Sequence, residues 1–406
     1  MRAYLPLSFL LLWVASPAAA QDADAGVPDA GDVSDAGPVT FVPPAPSQSA
    51  TSTKSTNAAE DAQKIAIPQV LGVNIVLSGY FWGDTGYMAR TNAQQGQYDQ
   101  SVSYLQGRFV LGAGLTRTFG DFYASAKVEF LGLVNEFARS QYEPHTLDSY
   151  VRVGHKRWFD VQVGRFLAWE IYHRGQGIEF WTAEEAGALG GPSLYWLDLT
   201  RGYRNESGQG AIHFYPFEFL KFELAGVYGQ ENNQNNYGVR PAVHFTWKDL
   251  QFLAGYETLL LRPQTSADKV QTTTHGYAAR LQYTFFKHAT LGVNFAQTFV
   301  NSIDIQGLVD SDRSLDKYTV GGFADIDFWN GSIGLGYHHT NQLNLQGENN
   351  RHHQAFVSYL YRLPIQGLSL KAVYGFALAH IEDLDTRSTW ENYVHSFRLR
   401  ISYEFN

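Results

Sequence analysis

The chain has 406 residues, with 30 Lys and Arg against 39 Asp and Glu, no Cys, and a mean hydropathy of -0.25. The acidic balance excludes a nucleic-acid partner, which needs a basic surface, and the lack of Cys excludes disulfides and thiolate metal sites. Aromatics reach 15%, mostly Tyr and Phe, beside 38 Gly; a barrel facing lipid has this composition because only alternate residues touch lipid.

Residues 1–20 open with Arg2, continue in an apolar run from Leu5 to Val14, and end in the small residues Ala18 and Ala20. That is the pattern of a secretory signal peptide. The run falls short of the ~20 residues a spanning helix needs, and no later stretch reaches that length. Any membrane span must be built from strands. Residues 21–64 are Ala, Asp, Gly, Pro, Ser and Thr with almost no large apolar side chains, too little burial to offset chain entropy, and read as a disordered periplasmic tether. Asp22, Asp24, Asp29, Asp32, Asp35, Glu60 and Asp61 fall there, so the remainder, 65–406, is only mildly acidic.

From there the chain breaks into alternating apolar and polar runs. Strands are expected at 72–89, 102–117, 121–135, 145–156, 158–166, 207–216, 218–229, 238–247, 249–260, 272–286, 288–300, 314–329, 331–343, 351–362, 366–379 and 392–406. These are about sixteen, an even number as in single-chain outer-membrane barrels. Tight connections such as Phe119-Gly120-Asp121, Lys248-Asp249 and Asn330-Gly331 alternate with long polar ones. The asymmetry predicts short periplasmic turns, long extracellular loops and both termini in the periplasm.

Parity assigns the faces. Phe397, Leu399, Ile401, Tyr403 and Phe405 share one side of the last strand, while Arg398, Arg400, Ser402 and Glu404 share the other. The same split separates Tyr277, Leu281, Tyr283 and Phe285 from Arg280, Gln282 and Thr284, and Leu105, Phe109, Leu111 and Leu115 from Gln106, Arg108 and Thr116. A ring of sixteen strands is too wide for side chains to fill, so the polar face must line water and the apolar face must meet lipid. The fold expected is an all-β, transmembrane, antiparallel up-and-down barrel.

Over roughly 70–406 the sequence resembles the sixteen-stranded porin superfamily of Gram-negative outer membranes. Tyr403, Glu404 and Phe405 are similar to the terminal assembly signal of such barrels, with Asn406 where an aromatic usually ends the chain. Val163-Gly164-Arg165-Phe166 resembles the segment leading into the constriction loop of phosphate-selective porins. Arg165 shares parity with Val161 and Val163, so either a bulge turns it inward or it snorkels at the rim. The resemblance implies a homotrimer among outer-membrane lipid and lipopolysaccharide, no cofactor, and passive diffusion of small hydrophilic solutes and ions. It also implies a third extracellular loop folded inward.

That loop, from Leu167 to about Glu206, is the longest. It carries Glu170, Glu179, Glu184, Glu185 and Asp198 with the aromatics Trp169, Trp181, Tyr195 and Trp196. A loop of this length is unusual unless functional; the plainer alternative is a surface loop bearing ordinary acids. By parity Arg108, Lys127 and Arg152 point inward from successive strands, and closure of the barrel sets Arg398 and Arg400 beside them as one basic wall. Acids on the loop facing this wall would set up a transverse field that orients dipolar solutes. The alternative is ordinary lumen charges paired with neighbours such as Glu129. The loop aromatics could instead stack on sugar faces, giving a carbohydrate-selective channel.

His338, His339, His352 and His353 flank the seventh loop, and hairpin pairing is expected to bring His338 near His353, as titratable rim residues more than as a metal site, since consecutive residues face opposite sides. Tyr80, Trp82, Trp158, Trp247 and Trp329 are expected in an interfacial girdle. A barrel hydrolase would need a nucleophile beside a base, and no Gly-x-Ser-x-Gly element occurs; a plugged adhesin would conduct nothing.

Overall fold

The computed structural model describes residues 65–70, 73–92, 100–134, 146–166, 169, 208–231, 234–263, 270–304, 313–344, 349–383 and 388–405. The signal peptide and tether expected over 1–64 lie outside the described residues. The strands are β1 Ile65–Val70, β2 Val73–Asn92, β3 Gln100–Phe119, β4 Phe122–Val134, β5 Thr146–His155, β6 Phe159–Arg165, β7 Gly208–Phe217, β8 Leu220–Glu231 and β9 Gln234–Trp247. They continue as β10 Leu250–Pro263, β11 Val270–Phe285, β12 Ala289–Asp304, β13 Arg313–Phe328, β14 Gly331–Asn344, β15 Asn349–Arg362, β16 Leu368–Asp383 and β17 Ser388–Phe405.

From β2 to β17 each strand pairs antiparallel with the next, and β17 returns to β2 from Asn392↔Asn92 to Phe405↔Gly79. Sixteen strands thus close into a barrel, which leaves no edge and satisfies the backbone where water is absent. The expected topology is what the structure shows. β1 is an addition: it pairs with β2 from Ile65↔Leu77 to Val70↔Val73, just past the point where β17 ends against Gly79. Six residues interrupted by Pro68 are too few for alternation to show in sequence.

The two faces follow parity. Phe397, Leu399 and Ile401 are exposed on β17, as are Tyr277, Leu281 and Tyr283 on β11 and Leu105, Phe109 and Leu111 on β3. Arg398, Arg280, Gln282 and Arg108, on the alternate positions, are buried inside. This outward apolar surface marks a membrane barrel of the outer-membrane type. At one end the tight turns carry exposed aromatics, including Trp158, Trp247, Phe286 and Trp329, the girdle expected where lipid meets water. Trp82 corrects that expectation: it sits inside the wall at 5% exposure, and Tyr80 shares its parity. Register decides this, since Trp82 pairs with the inward-facing Arg108 and Tyr80 with the buried Val110.

The opposite end needs a second correction. β8 and β9 stay in register up to Glu231↔Gln234, so two residues connect them where a longer loop was expected, and four each separate β14 from β15 and β16 from β17. Asn, Gln and Glu at these ends read as loop by polarity alone. A ladder that has left the hydrocarbon needs no apolar face, and its backbone hydrogen bonds continue. Inside the wall, glycine lets aromatic rings lie flat: Gly292, Phe323, Gly336 and Phe356 are successive partners across β12 to β15. A Cβ at Gly292 would lie 2.2 Å from the Phe323 ring, and one at Gly336 2.0 Å from the Phe356 ring.

Candidate lumen site

Three groups of charged side chains line the inner face of neighbouring strands. The first straddles the closing seam of β17, β2 and β3. Register sets Arg400 opposite Asp84, Arg398 opposite Gly86, and Trp82 between Ser402 and Arg108. The Arg400 guanidinium donates from Nε and Nη2 to the two Asp84 oxygens, both at 2.6 Å. Arg398 Nη1 stands 3.6 Å from Asp84 Oδ2. The Trp82 ring takes Arg400 at 4.3 Å and Arg108 at 5.7 Å from its centroid, a cation-on-ring contact that gains strength away from water. Asp84 and Arg108 are fully buried and Arg398 nearly so. Three guanidinium groups therefore gather about one tryptophan and one carboxylate.

The second group lies on β4 and β5. Lys127 Nζ is 2.5 Å from Glu129 Oε1 and 3.4 Å from Asp148 Oδ2, and the Asp148 backbone N–H donates to Glu129 Oε2 at 3.3 Å. Lys127 is thus tied to two acids of its own wall, the pairing that was the alternative to a bare basic surface.

The third group spans β4 to β8. Arg152 donates to the Gln162 side-chain oxygen, from Nε at 2.9 Å, and its Nε lies 3.7 Å from Asp160 Oδ1. Tyr123 and Tyr215 donate their hydroxyls to Asp160 Oδ2 at 3.0 and 2.7 Å. His213 Nδ1 is 2.6 Å from Asp160 Oδ1 and its Nε2 is 3.0 Å from Glu223 Oε2. With both acids ionised, each only accepts, and a ring held between them then donates from both nitrogens, as an imidazolium does. The Trp169 backbone N–H points at both Glu223 oxygens, at 3.2 and 3.3 Å, and its ring stacks on His213 with centroids 5.1 Å apart and an interplanar angle of 23°. Asp160, His213 and Glu223 are at most 2% exposed.

The predicted basic residues therefore share adjacent strands, as closure requires, but acids stand among them. Asp84, Asp148, Asp160, His213 and Glu223 were not anticipated. A signal existed: Asp160 faces His213, and His213 faces Glu223, as direct cross-strand partners, and inward parity applied to acids as well as bases finds them. Of the predicted loop residues only Trp169 is described; Glu170, Glu179, Glu184, Glu185, Asp198, Trp181, Tyr195 and Trp196 lie outside the described residues. Arg165 is half-buried at the end of β6, next to Gly164 at φ 133°, a conformation that favours glycine, where a Cβ would also meet the Ser149 carbonyl at 2.3 Å. Phe166 turns inward onto Ala211, Ala225 and Tyr150.

The histidine register differs by one residue from expectation. His339, not His338, faces His353, with rings 4.6 Å apart, and His338 faces Gln354 and is buried on the inner side. A four-residue connection between the strands, Asn344 to Asn349, sets that register. Among the described residues no three ligating side chains converge as a metal site.

No protein-family model and no curated protein matches the chain in sequence. Solved structures do match in fold. The anion-selective porin from Comamonas acidovorans aligns over 82% of this chain and 100% of its own at 13% identity, TM-score 0.55. The outer membrane channel DcaP of Acinetobacter baumannii aligns over 84% and 99% at 12% identity, TM-score 0.54. OmpT of Vibrio cholerae in a trimer form aligns over 81% and 99% at 13% identity, TM-score 0.51.

Proposed function

The chain has the fold of sixteen-stranded outer-membrane porins, and from that premise we propose that it is an outer-membrane channel for passive diffusion of small hydrophilic solutes, favouring anions. The observation that carries the preference is the seam cluster, in which Arg108, Arg398 and Arg400 gather about Trp82 and the carboxylate of Asp84. Fixed cations in a low-dielectric wall raise the local concentration of anions and lower the barrier to their entry. The anion-selective porin among the similar folds supports the same reading by likeness. Inward charges are closely packed, with Arg108, Arg240 and Arg398 all below 2% exposure, which favours a narrow passage over a wide general pore. Acids of the loop from Leu167 to about Glu206, namely Glu170, Glu179, Glu184, Glu185 and Asp198, are proposed as the opposing side of the field, with Lys127 and Arg152 as paired members of the wall. A groove of about 490 Å³, lined by the outward-parity residues Ala113, Leu115, Ala126, Val128, Val151 and Val163 together with residues of the alternate parity such as Lys127 and Tyr150, offers an apolar surface against which a second copy would pack in the proposed homotrimer.

Reversal potential in planar bilayers across a KCl gradient tests the proposal. The parent channel is expected to sit on the anion side, and Arg108→Ala with Arg398→Ala to move it toward cations, while Arg→Lys at both positions retains most of the preference. Unchanged selectivity in the alanine variant refutes the role of the seam; block of the current by neutral sugars would favour a carbohydrate channel.

A further inference from the structure

His213 lies away from the seam cluster and has no part in the anion preference. It nonetheless sits at the centre of a connected polar network on the inner wall. Every element around it presents a titratable or charged group: Tyr123 on β4, Arg152 on β5, Asp160 on β6, Tyr215 on its own strand β7, Glu223 and Lys221 on β8, and His244 on β9. Trp169 covers this group. Its ring lies on the His213 face at 5.1 Å and meets the His244 ring edge-on at 6.3 Å, while its backbone N–H is held by the carboxylate that also accepts from His213 Nε2.

We propose that His213, as an imidazolium clamped between Asp160 and Glu223, is a positioning residue that seats Trp169 against the inner wall. Two forces act on the same tryptophan. The cation attracts the negative face of the indole in a site screened from water, and the orientation of Glu223 toward Nε2 leaves its oxygens aimed at the Trp169 amide. Both depend on one charge state: two ionised carboxylates around a doubly protonated ring. Acid removes it when a carboxylate takes up a proton, and base removes it when the imidazole gives up its second, and because the groups are coupled the two steps belong to the cluster. A neutral imidazole would keep one bond and leave one carboxylate oxygen facing a lone pair. Seating Trp169 fixes how far its ring stands from the wall, so where the chain conducts, as proposed above, the current through it follows the same protonation.

The test uses the full chain folded in detergent micelles. The emission belonging to Trp169 is obtained as the difference from the Trp169→Phe variant. Protonated imidazole quenches indole, so that emission is expected to be low between the two titration steps and to rise on either side. Loss of the quench and of its pH dependence is expected in His213→Gln, and in Glu223→Gln, which keeps the shape of the side chain and removes its charge. Trp169 emission that titrates unchanged in both variants overturns the proposal, as does emission that is unquenched in the parent. Bilayer current is read separately. A silent bilayer beside an intact optical change refutes the channel, not the clamp, whereas conducting variants with the parent's pH profile show that Trp169 does not set the passage.

Discussion

Asp84 shows what a single buried carboxylate does when cations surround it. Its two oxygens are taken by Arg400, with Arg398 close by, and neutralising the acid takes that ion pair from both guanidinium groups. Breaking a buried pair from one side costs more than the pair contributes, on the order of 3 kcal/mol. Asp84→Asn is therefore expected to lower resistance to urea unfolding in micelles by about that amount; a midpoint unchanged from the parent would mean the wall is wet enough to screen the charges. Trp329 presents the reverse case. It is 99% exposed and holds a left-handed φ of 45° in a two-residue turn, where Gly or Asn is the favoured residue. Among the described residues only the edge of the neighbouring Phe328 ring approaches it, with centroids 6.5 Å apart, so its fitness lies in the lipid interface. Trp329→Gly is expected to gain about 0.5–1 kcal/mol in micelles by relieving the backbone, and to insert more slowly into lipid vesicles. Faster insertion would contradict the anchoring role.

Strands were the legible part of the sequence because their period is two and lipid enforces it. Along the middle of β3, β11 and β17 the outward set is exposed and Arg108, Arg280, Gln282 and Arg398 of the inward set are buried, whereas at the end of β17 Glu404 is exposed and Tyr403 and Phe405 are half-buried. Legibility stopped where lipid stops. The ends of β8, β9 and β14 to β17 away from the tight turns are rich in Asn, Gln and Glu with only scattered apolar residues such as Tyr228, Tyr237 and Leu343, so their alternation is weak in sequence. Register at the His339↔His353 rung depended on that same boundary. The candidate site was half visible for a related reason. Parity located Arg108, Arg398 and Arg400, yet a search for cations alone passed over Asp84, Asp160 and Glu223 on the same face. The His213 clamp also needs Trp169, which joins from outside the strands. At this scale the test is a matched pair on β12. Val293, 57% exposed on the outer face, is expected to cost about 2–4 kcal/mol when changed to Arg at mid-membrane. Asn294→Arg, one residue on and facing in, is expected to fold in lipid with far less loss. Equal losses would place both side chains in the same medium.

The whole molecule rests on closure. Sixteen antiparallel strands, each bonded to both neighbours, leave the backbone no unpaired edge, and the alternation then has only two destinations, lipid outside and the polar lumen inside. Channel function follows if that inside is continuous with water from one end to the other. Discrete conductance steps from the purified full chain in a planar bilayer measure this directly. A water-filled lumen gives steps of uniform size that grow in proportion to the conductivity of the bathing salt, since ions would be crossing an aqueous path. A correctly folded, inserted protein that leaves the bilayer silent would contradict it.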